Sequence, residues 1–251
     1  MSSENSFLSH LLELRDRLLR SIVGMLALTI LLLPFANDIY RLLAEPLLLS
    51  LPVGGQMIAT EVTTPFFIPM KAVLLVAFLL SSPYTIYQLW AFVAPGLHDS
   101  ERRLLIPLVL SSVLLLFCGI AFAYFLVFPV VFGFISSTTP EGVAMMTDIG
   151  RYLDFALTLF IAFGLAFETP VVVVLLVRLG VVSVNALREA RAYVIVGAFV
   201  LGAIVTPPDI MSQFLLAIPM WILYEIGIMV AGLIEQRNQA FSKTPQSENH
   251  R

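Results

Sequence analysis

Four acidic side chains stand where an acid either costs energy or can grip a cation: Glu13, Glu101, Glu168 and Glu225. Glu168 and Glu225 lie inside long apolar runs. If those runs cross a bilayer, a charge at mid-depth costs about 2.5–3.5 kcal/mol on insertion scales. Each carboxyl is therefore expected to be protonated, hydrogen-bonded or facing water. Two readings stand for each: a group on a transport path, or an interhelical hydrogen bond worth about 0.6 kcal/mol on average. Glu225 is nearer the end of its run, where a side chain can reach the interface. Glu168 is deeper, and there the functional reading is the stronger.

Glu13 belongs to a segment, 7–20, with an apolar stripe (Leu8, Leu11, Leu12, Leu18, Leu19) and a charged face (Glu13, Arg15, Asp16, Arg17). That pattern predicts an amphipathic helix. The plain alternative is an interfacial anchor in which Glu13 pairs with Arg17 and Asp16 with Arg20, each i,i+4 pair worth about 0.2–0.5 kcal/mol. Glu101 lies in a loop with Arg102 and Arg103, after Pro95 has ended one helix and where Asp99 or Ser100 can cap the next. Two arginines near a helix N-terminus oppose its dipole, so lipid phosphate or Glu101 must compensate them. This loop is either a solvated charged turn, or Glu101 joins Glu13 as a pair of carboxylates. Such a pair suits a guanidinium ligand, because carboxylates can hold one bidentately.

Several chemistries find no residues. His10, His98 and His250 all fall outside the apolar runs, and no H-E-x-x-H occurs. No run combines serine and histidine as nucleophile and base, none carries a deep aspartate, and no glycine-rich phosphate loop is present. The pattern is that of a binding protein or carrier rather than an enzyme. It requires no cofactor or metal, and any energy must come from outside the chain, with a proton gradient as the obvious source.

The elements that position these groups are apolar. Hydrophobic residues make up 59% of the chain and charged residues 12%, and mean hydropathy is +0.95. A water-soluble fold could not hide that much apolar surface, so lipid is the solvent. Six spans are expected, at about 18–36, 72–93, 104–135, 153–177, 192–205 and 210–233. Most meet the roughly 20 residues that a bilayer core of about 30 Å demands. The fifth, about 14 residues or about 21 Å long, falls about 9 Å short of that core and is expected to thin the lipid around it. Thr206-Pro207-Pro208-Asp209 then forces a tight turn, so spans five and six read as a short helical hairpin.

Orientation follows from the basic residues. Arg15, Arg17, Arg20, Arg102, Arg103, Arg178, Arg188, Arg191, Arg237, Lys243 and Arg251 share one side, which leaves Arg41, Lys71 and Arg151 on the other. The positive-inside rule puts both termini in the cytoplasm. No cleavable signal peptide and no internal repeat is apparent, and the single Cys118 supports no disulfide framework. Pro34, Pro83, Pro107, Pro129, Pro170 and Pro219 fall within spans and predict kinked helices forming a concave wall. Ala198 and Gly202 make a small-xxx-small face that could admit a partner helix. Residues 1–235 are expected to form one six-helix domain, and 236–251 a disordered cytoplasmic tail.

Several stretches together resemble one known family. They are Ser9-His-Leu-Leu-Glu-Leu-Arg-Asp-Arg-Leu, Phe35-Ala-Asn-Asp-Ile-Tyr, Ala44-Glu-Pro-Leu, Met57-Ile-Ala-Thr-Glu, Gln88-Leu-Trp-Ala-Phe-Val-Ala-Pro-Gly-Leu, Glu101-Arg-Arg, Phe163-Gly-Leu-Ala-Phe-Glu-Thr-Pro, Gly197-Ala-Phe and Thr206-Pro-Pro-Asp. The sequence is similar to TatC, the polytopic subunit of the twin-arginine protein translocase, from Phe7 to about Leu233.

The resemblance implies an all-α integral membrane protein of six transmembrane helices, arranged as a glove-like concave wall in the cytoplasmic (inner) membrane. It implies a receptor for paired-arginine signal peptides of folded cargo, with signal contact carried over to Glu13, Arg17, Phe92, Glu101, Arg102 and Arg103. Pro46, Glu168 and Asp209 match positions linked to translocation, with Glu168 facing the concavity. Thr206 and Gln213 match positions where TatA-type and TatB-type single-span subunits dock. A homo-oligomer within a receptor complex, driven by the proton-motive force, is expected. The competing reading from the residues alone is a proton-coupled secondary transporter of a small solute, since buried glutamates and proline-broken spans fit that class too.

Overall fold

The computed structural model describes residues 2–51, 55–93, 105–140, 143, 145–205 and 210–242. All six expected spans are helices. Ser9–Ser50, Thr64–Phe92, Ile106–Ser137, Ile149–Arg178 and Gln213–Gln236 are long and apolar enough to cross a membrane, and Arg191–Val205 is apolar but shorter. The molecule is an all-α, multi-pass membrane protein. Side chains such as Ile30, Leu49, Phe125 and Ile204 point outward from these helices, as lipid-facing residues should.

Element boundaries differ from the apolar windows in instructive ways. The amphipathic segment and the first span are one helix, α1 (Ser2–Leu32), continued through a 3-10 turn (Leu33–Phe35) into α2 (Ala36–Ser50). Pro34 does not end this rod. It sits in the first turn after a break, where its missing N–H costs little. The second span is α3 (Thr64–Val93). The third is α4 (Leu105–Phe122), a π-turn (Ala123–Val127) and α5 (Phe128–Ser137). The fourth is α6 (Ile149–Phe167) and α7 (Thr169–Arg178), interrupted at Glu168 just before Pro170. Short α8 (Val184–Glu189) follows, capped by the Ser183 side chain on the Ala186 amide at 3.1 Å.

The fifth span, α9 (Arg191–Val205), is short as expected at 15 residues. The sixth, α10 (Ile210–Ser242), is not short as a helix, with 33 residues. It passes Gln236 into the segment whose composition suggests a polar tail. No glycine or proline stands between Gln236 and Ser242, so the backbone ladder has no reason to stop at the edge of the apolar stretch.

The chain forms two compact units, Met1–Gly164 and Leu165–Arg251. In the first, α1 runs along α3, and α2 packs on α3 and α5. Its core is closed by Leu47, Val73, Val127, Phe128, Leu153, Leu159 and Phe163. A parallel two-stranded sheet joins β1 (Gln56–Ile58) to β2 (Met146–Asp148), with Gln56 opposite Met146 and Ile58 opposite Asp148.

In the second unit α10 packs against α7 and α9. Tyr224, Ile228 and Ala231 of α10 meet Val173, Val184 and Leu187, and the Tyr224 hydroxyl donates to the Leu187 carbonyl at 2.8 Å. The α7–α10 approach is set by Gly227, where a Cβ would lie 3.0 Å from the Pro170 Cα and 3.1 Å from the Val173 Cβ. Small residues permit such contacts between membrane helices. The Ala198/Gly202 face is used inside the chain rather than left for a partner. Both residues are buried, and Gly202 lies against Gln213 of α10.

Candidate functional site

Two helices of the first unit bring together all three described residues of the expected signal site, Glu13, Arg17 and Phe92. His10, Glu13 and Arg17 are spaced i, i+3, i+7 and share one face of α1. Gln88 and Phe92, spaced i, i+4, share one face of α3. Arg17 is the joint. Its Nε and Nη2 donate to Glu13 Oε1 at 2.9 and 2.6 Å, and its Nη1 donates to Gln88 Oε1 at 3.0 Å. Gln88 is buried, so this bond satisfies an amide that would otherwise be costly inside an apolar helix pair.

The second Glu13 oxygen is placed differently. Oε2 lies 3.8 Å from His10 Nδ1, beyond hydrogen-bond range, and the Glu13 side chain is 37% exposed. Above it the His10 ring stacks on Phe92, with centroids 4.1 Å apart and an interplanar angle of 14°. The result is a carboxylate on a partly exposed side chain, one turn from an aromatic stack. A carboxylate oxygen so placed can accept from a planar guanidinium. The i,i+4 pair of Glu13 and Arg17 does form, but Asp16 turns to Arg15 at 2.8 Å instead of to Arg20.

The remaining expected positions scatter. Glu101, Arg102, Arg103, Thr206 and Asp209 lie outside the described residues. Pro46 is buried within the C-terminal part of α2. Glu168 sits at the break between α6 and α7, with its Oε1 atom buried. Gln213 donates from Nε2 to the Phe199 carbonyl at 2.8 Å, which ties α10 back to α9. Beside that bond Phe199 meets Phe214 edge-on at 4.9 Å. Glu225 does not simply reach for the interface. It forms a two-pronged pair with Arg191, Nε to Oε1 at 2.7 Å and Nη2 to Oε2 at 2.7 Å, so its role is to fix the start of α9 on α10.

Gln88 and His10 join this cluster, and sequence reasoning misses both. In the sequence Gln88 is only one letter of a motif, and His10 falls outside the spans. A signal exists for each: a lone amide on an apolar helix, and an imidazole one turn before an acid.

At the far end of the first unit, Asp148 closes the sheet. Its Oδ1 accepts from the Gly150 and Arg151 amides at 2.9 Å each, and its Oδ2 accepts from Thr60 Oγ1 at 2.6 Å and Thr60 N at 3.1 Å. The Thr60 hydroxyl and these backbone donors lower its pKa to about 2.

No three His, Cys, Asp or Glu side chains among the described residues gather as metal ligands. The fold defines a multi-pass membrane protein, and one end of its α1–α3 pair gathers Glu13, Arg17, Gln88, His10 and Phe92.

The comparisons agree with that class and narrow it. The family profile described as Sec-independent protein translocase protein (TatC) matches residues 9–219. The chain is 54% identical over 231 residues to a Sec-independent protein translocase protein TatC of Azotobacter chroococcum mcd 1, covering 92% of this chain and 91% of that one. It is 53% identical over 230 residues to the protein of the same name from Escherichia coli strain K12, covering 91% and 89%. A crystal structure of the twin-arginine translocase receptor TatC superposes with a TM-score of 0.79 at 40% identity, covering 90% of this chain and 99% of that one. The chain belongs to the TatC family. Members of this family are translocase components and not catalysts of a covalent step.

Proposed function

We propose that this chain is the core receptor subunit of a twin-arginine translocation system. It captures the paired arginines of signal peptides on folded cargo and passes that cargo across the cytoplasmic membrane, driven by the proton-motive force. The observation that carries the reading is the half-used Glu13 carboxylate. Arg17 takes Oε1 and is itself held by Gln88, while Oε2 is presented beside the His10–Phe92 stack. An incoming guanidinium finds a fixed acceptor, and ordering it costs little.

Glu101, from the loop after α3, supplies the second carboxylate, flanked by Arg102 and Arg103. Both termini face the cytoplasm, which places this surface where the signal arrives. Pro46, Glu168 and Asp209 serve translocation. Thr206 and Gln213 mark the α9–α10 turn as the docking point for TatA-type and TatB-type single-span partners, within a complex holding several copies of this chain. The 15-residue α9, about 22 Å long, thins the bilayer beside it and eases passage of cargo. Normal lipid thickness beside α9 in nanodiscs would remove that last element.

The test of the receptor reading is a photo-crosslinking scan of the 94–104 loop and of α1 against paired-arginine and paired-lysine signals. Crosslinks at positions 13 and 101 with arginine, weakened with lysine, are expected. Equal labelling by both signals would overturn the reading.

A further inference from the structure

Pro46 has no N–H, so the carbonyl four residues earlier, that of Leu42, loses its helical donor. The Tyr124 hydroxyl supplies the missing bond by donating to Leu42 O at 2.8 Å. Tyr124 can reach it because it lies in the π-turn Ala123–Val127, where the Phe128 amide bonds back to Ala123 O. A second proline explains that turn. Pro129 has no amide to offer Phe125, and the ladder accommodates the gap by widening. Two prolines on two helices are thus matched, one exposing an acceptor and the other presenting a donor. One residue along, the Tyr152 hydroxyl donates to Leu43 O at 2.5 Å, but that carbonyl keeps its regular helical donor at Leu47.

We propose that Tyr124 is a positioning residue for translocation, acting through Pro46 by capping the carbonyl that Pro46 leaves open. The inference rests on the reading of Pro46 as a translocation residue. Pro46 makes α2 deformable and Tyr124 restores a single geometry, so that the end of α2 is held without a continuous backbone ladder. The signal site at Glu13 lies about 50 Å of helix away and does not depend on this bond.

The experiment is a cycle of Tyr124→Phe and Pro46→Ala in the full chain expressed with its partner subunits. It reads protein level, signal-peptide capture, export rate and the melting temperature of the purified protein. Tyr124→Phe alone is expected to leave level and capture unchanged and to slow export about fivefold, the effect of one lost hydrogen bond. In the Pro46→Ala background the new amide bonds Leu42 O, so Tyr124→Phe is expected to add nothing. If Pro46→Ala already abolishes export, the melting temperature carries the comparison: Tyr124→Phe lowers it when Pro46 is intact and leaves it unchanged in the Pro46→Ala background. Tyr152→Phe should act alike in both backgrounds, because Leu43 O has its helical donor in each.

The proposal is overturned if Tyr124→Phe acts alike in both backgrounds, has no effect in either, or lowers capture in parallel with export. Failure of the receptor reading looks different: capture would survive loss of Glu13 while Tyr124 is intact.

Discussion

Replacing Glu13 by Gln keeps the size of the side chain and removes its charge, and the geometry sets how much should be lost. Both Arg17 bonds fall on Oε1, so the ligand has Oε2. A hydrogen bond to a charged group contributes about 1.5–3 kcal/mol and a neutral one about 0.5–1.5. The difference is about 1.3 kcal/mol at mid-range. The Glu13 side chain is 37% exposed, and solvent screening reduces that figure. A loss of about 0.7–1.2 kcal/mol remains, which is about three- to eightfold in Kd. The assay is fluorescence anisotropy of a labelled paired-arginine signal peptide titrated with the receptor complex in nanodiscs. The same titration is run with a paired-lysine peptide. Lysine lacks the planar fork, so it should bind the parent more weakly and lose less on Glu13→Gln. The gap between the two peptides should also narrow as salt rises. If Glu13→Gln weakened both peptides equally, or neither, the carboxylate would not be reading guanidinium groups and the site argument would fail.

Four further outcomes follow from named contacts. Arg191→Ala should destabilise the α9–α10 hairpin by about 1–2 kcal/mol, because it strands the Glu225 carboxylate, which is 21% exposed; a thermal melt with Glu225→Gln as partner in a double-mutant cycle measures the coupling. Gly227→Leu should lower the melting temperature through overpacking of about 1–3 kcal/mol, since even a Cβ meets Pro170 at 3.0 Å; an unchanged melt would mean that α7 and α10 do not approach as described. The Asp148 pKa is lowered to about 2 in the folded chain, so its contribution to stability is complete above the unfolded value near 4 and is lost as pH falls from about 4 to 2; protection of the Thr60 amide, taken relative to its intrinsic exchange rate at each pH, should fall across that window, and Asp148→Asn should abolish the pH response. Glu168→Ala should leave signal capture intact and impair export; loss of the protein from the membrane instead would assign Glu168 to bundle stability.

The broken fourth span shows how far local reasoning reaches. Pro170 announces a disturbed helix, and the interruption falls at Glu168, two residues before it. Pro34 and Pro129 likewise coincide with a 3-10 turn and the end of a π-turn, whereas Pro83 and Pro219 are carried inside continuous helices. Removing one backbone donor weakens a helix, but packing decides whether the ladder breaks or bridges the gap. The same limit applies to acids. Glu225 can be read from its depth as a side chain reaching for the interface, yet its partner Arg191 is far off in sequence and comes within reach only when α9 folds back on α10.

Hydropathy alone determined that this chain lives in lipid and how many apolar helices it has, because the transfer cost of each window is a local sum over neighbouring residues. The i,i+4 grip of Arg17 on Glu13 was equally local, fixed by helical spacing. Tertiary structure alone decided that Gln88 anchors Arg17, that Phe92 stacks on His10, and that Tyr124 supplies the bond Pro46 withholds. Helix packing joins these pairs across 71 positions for Arg17 with Gln88 and 82 for Tyr124 with Leu42. No periodicity within one helix encodes which face of a distant helix it will meet.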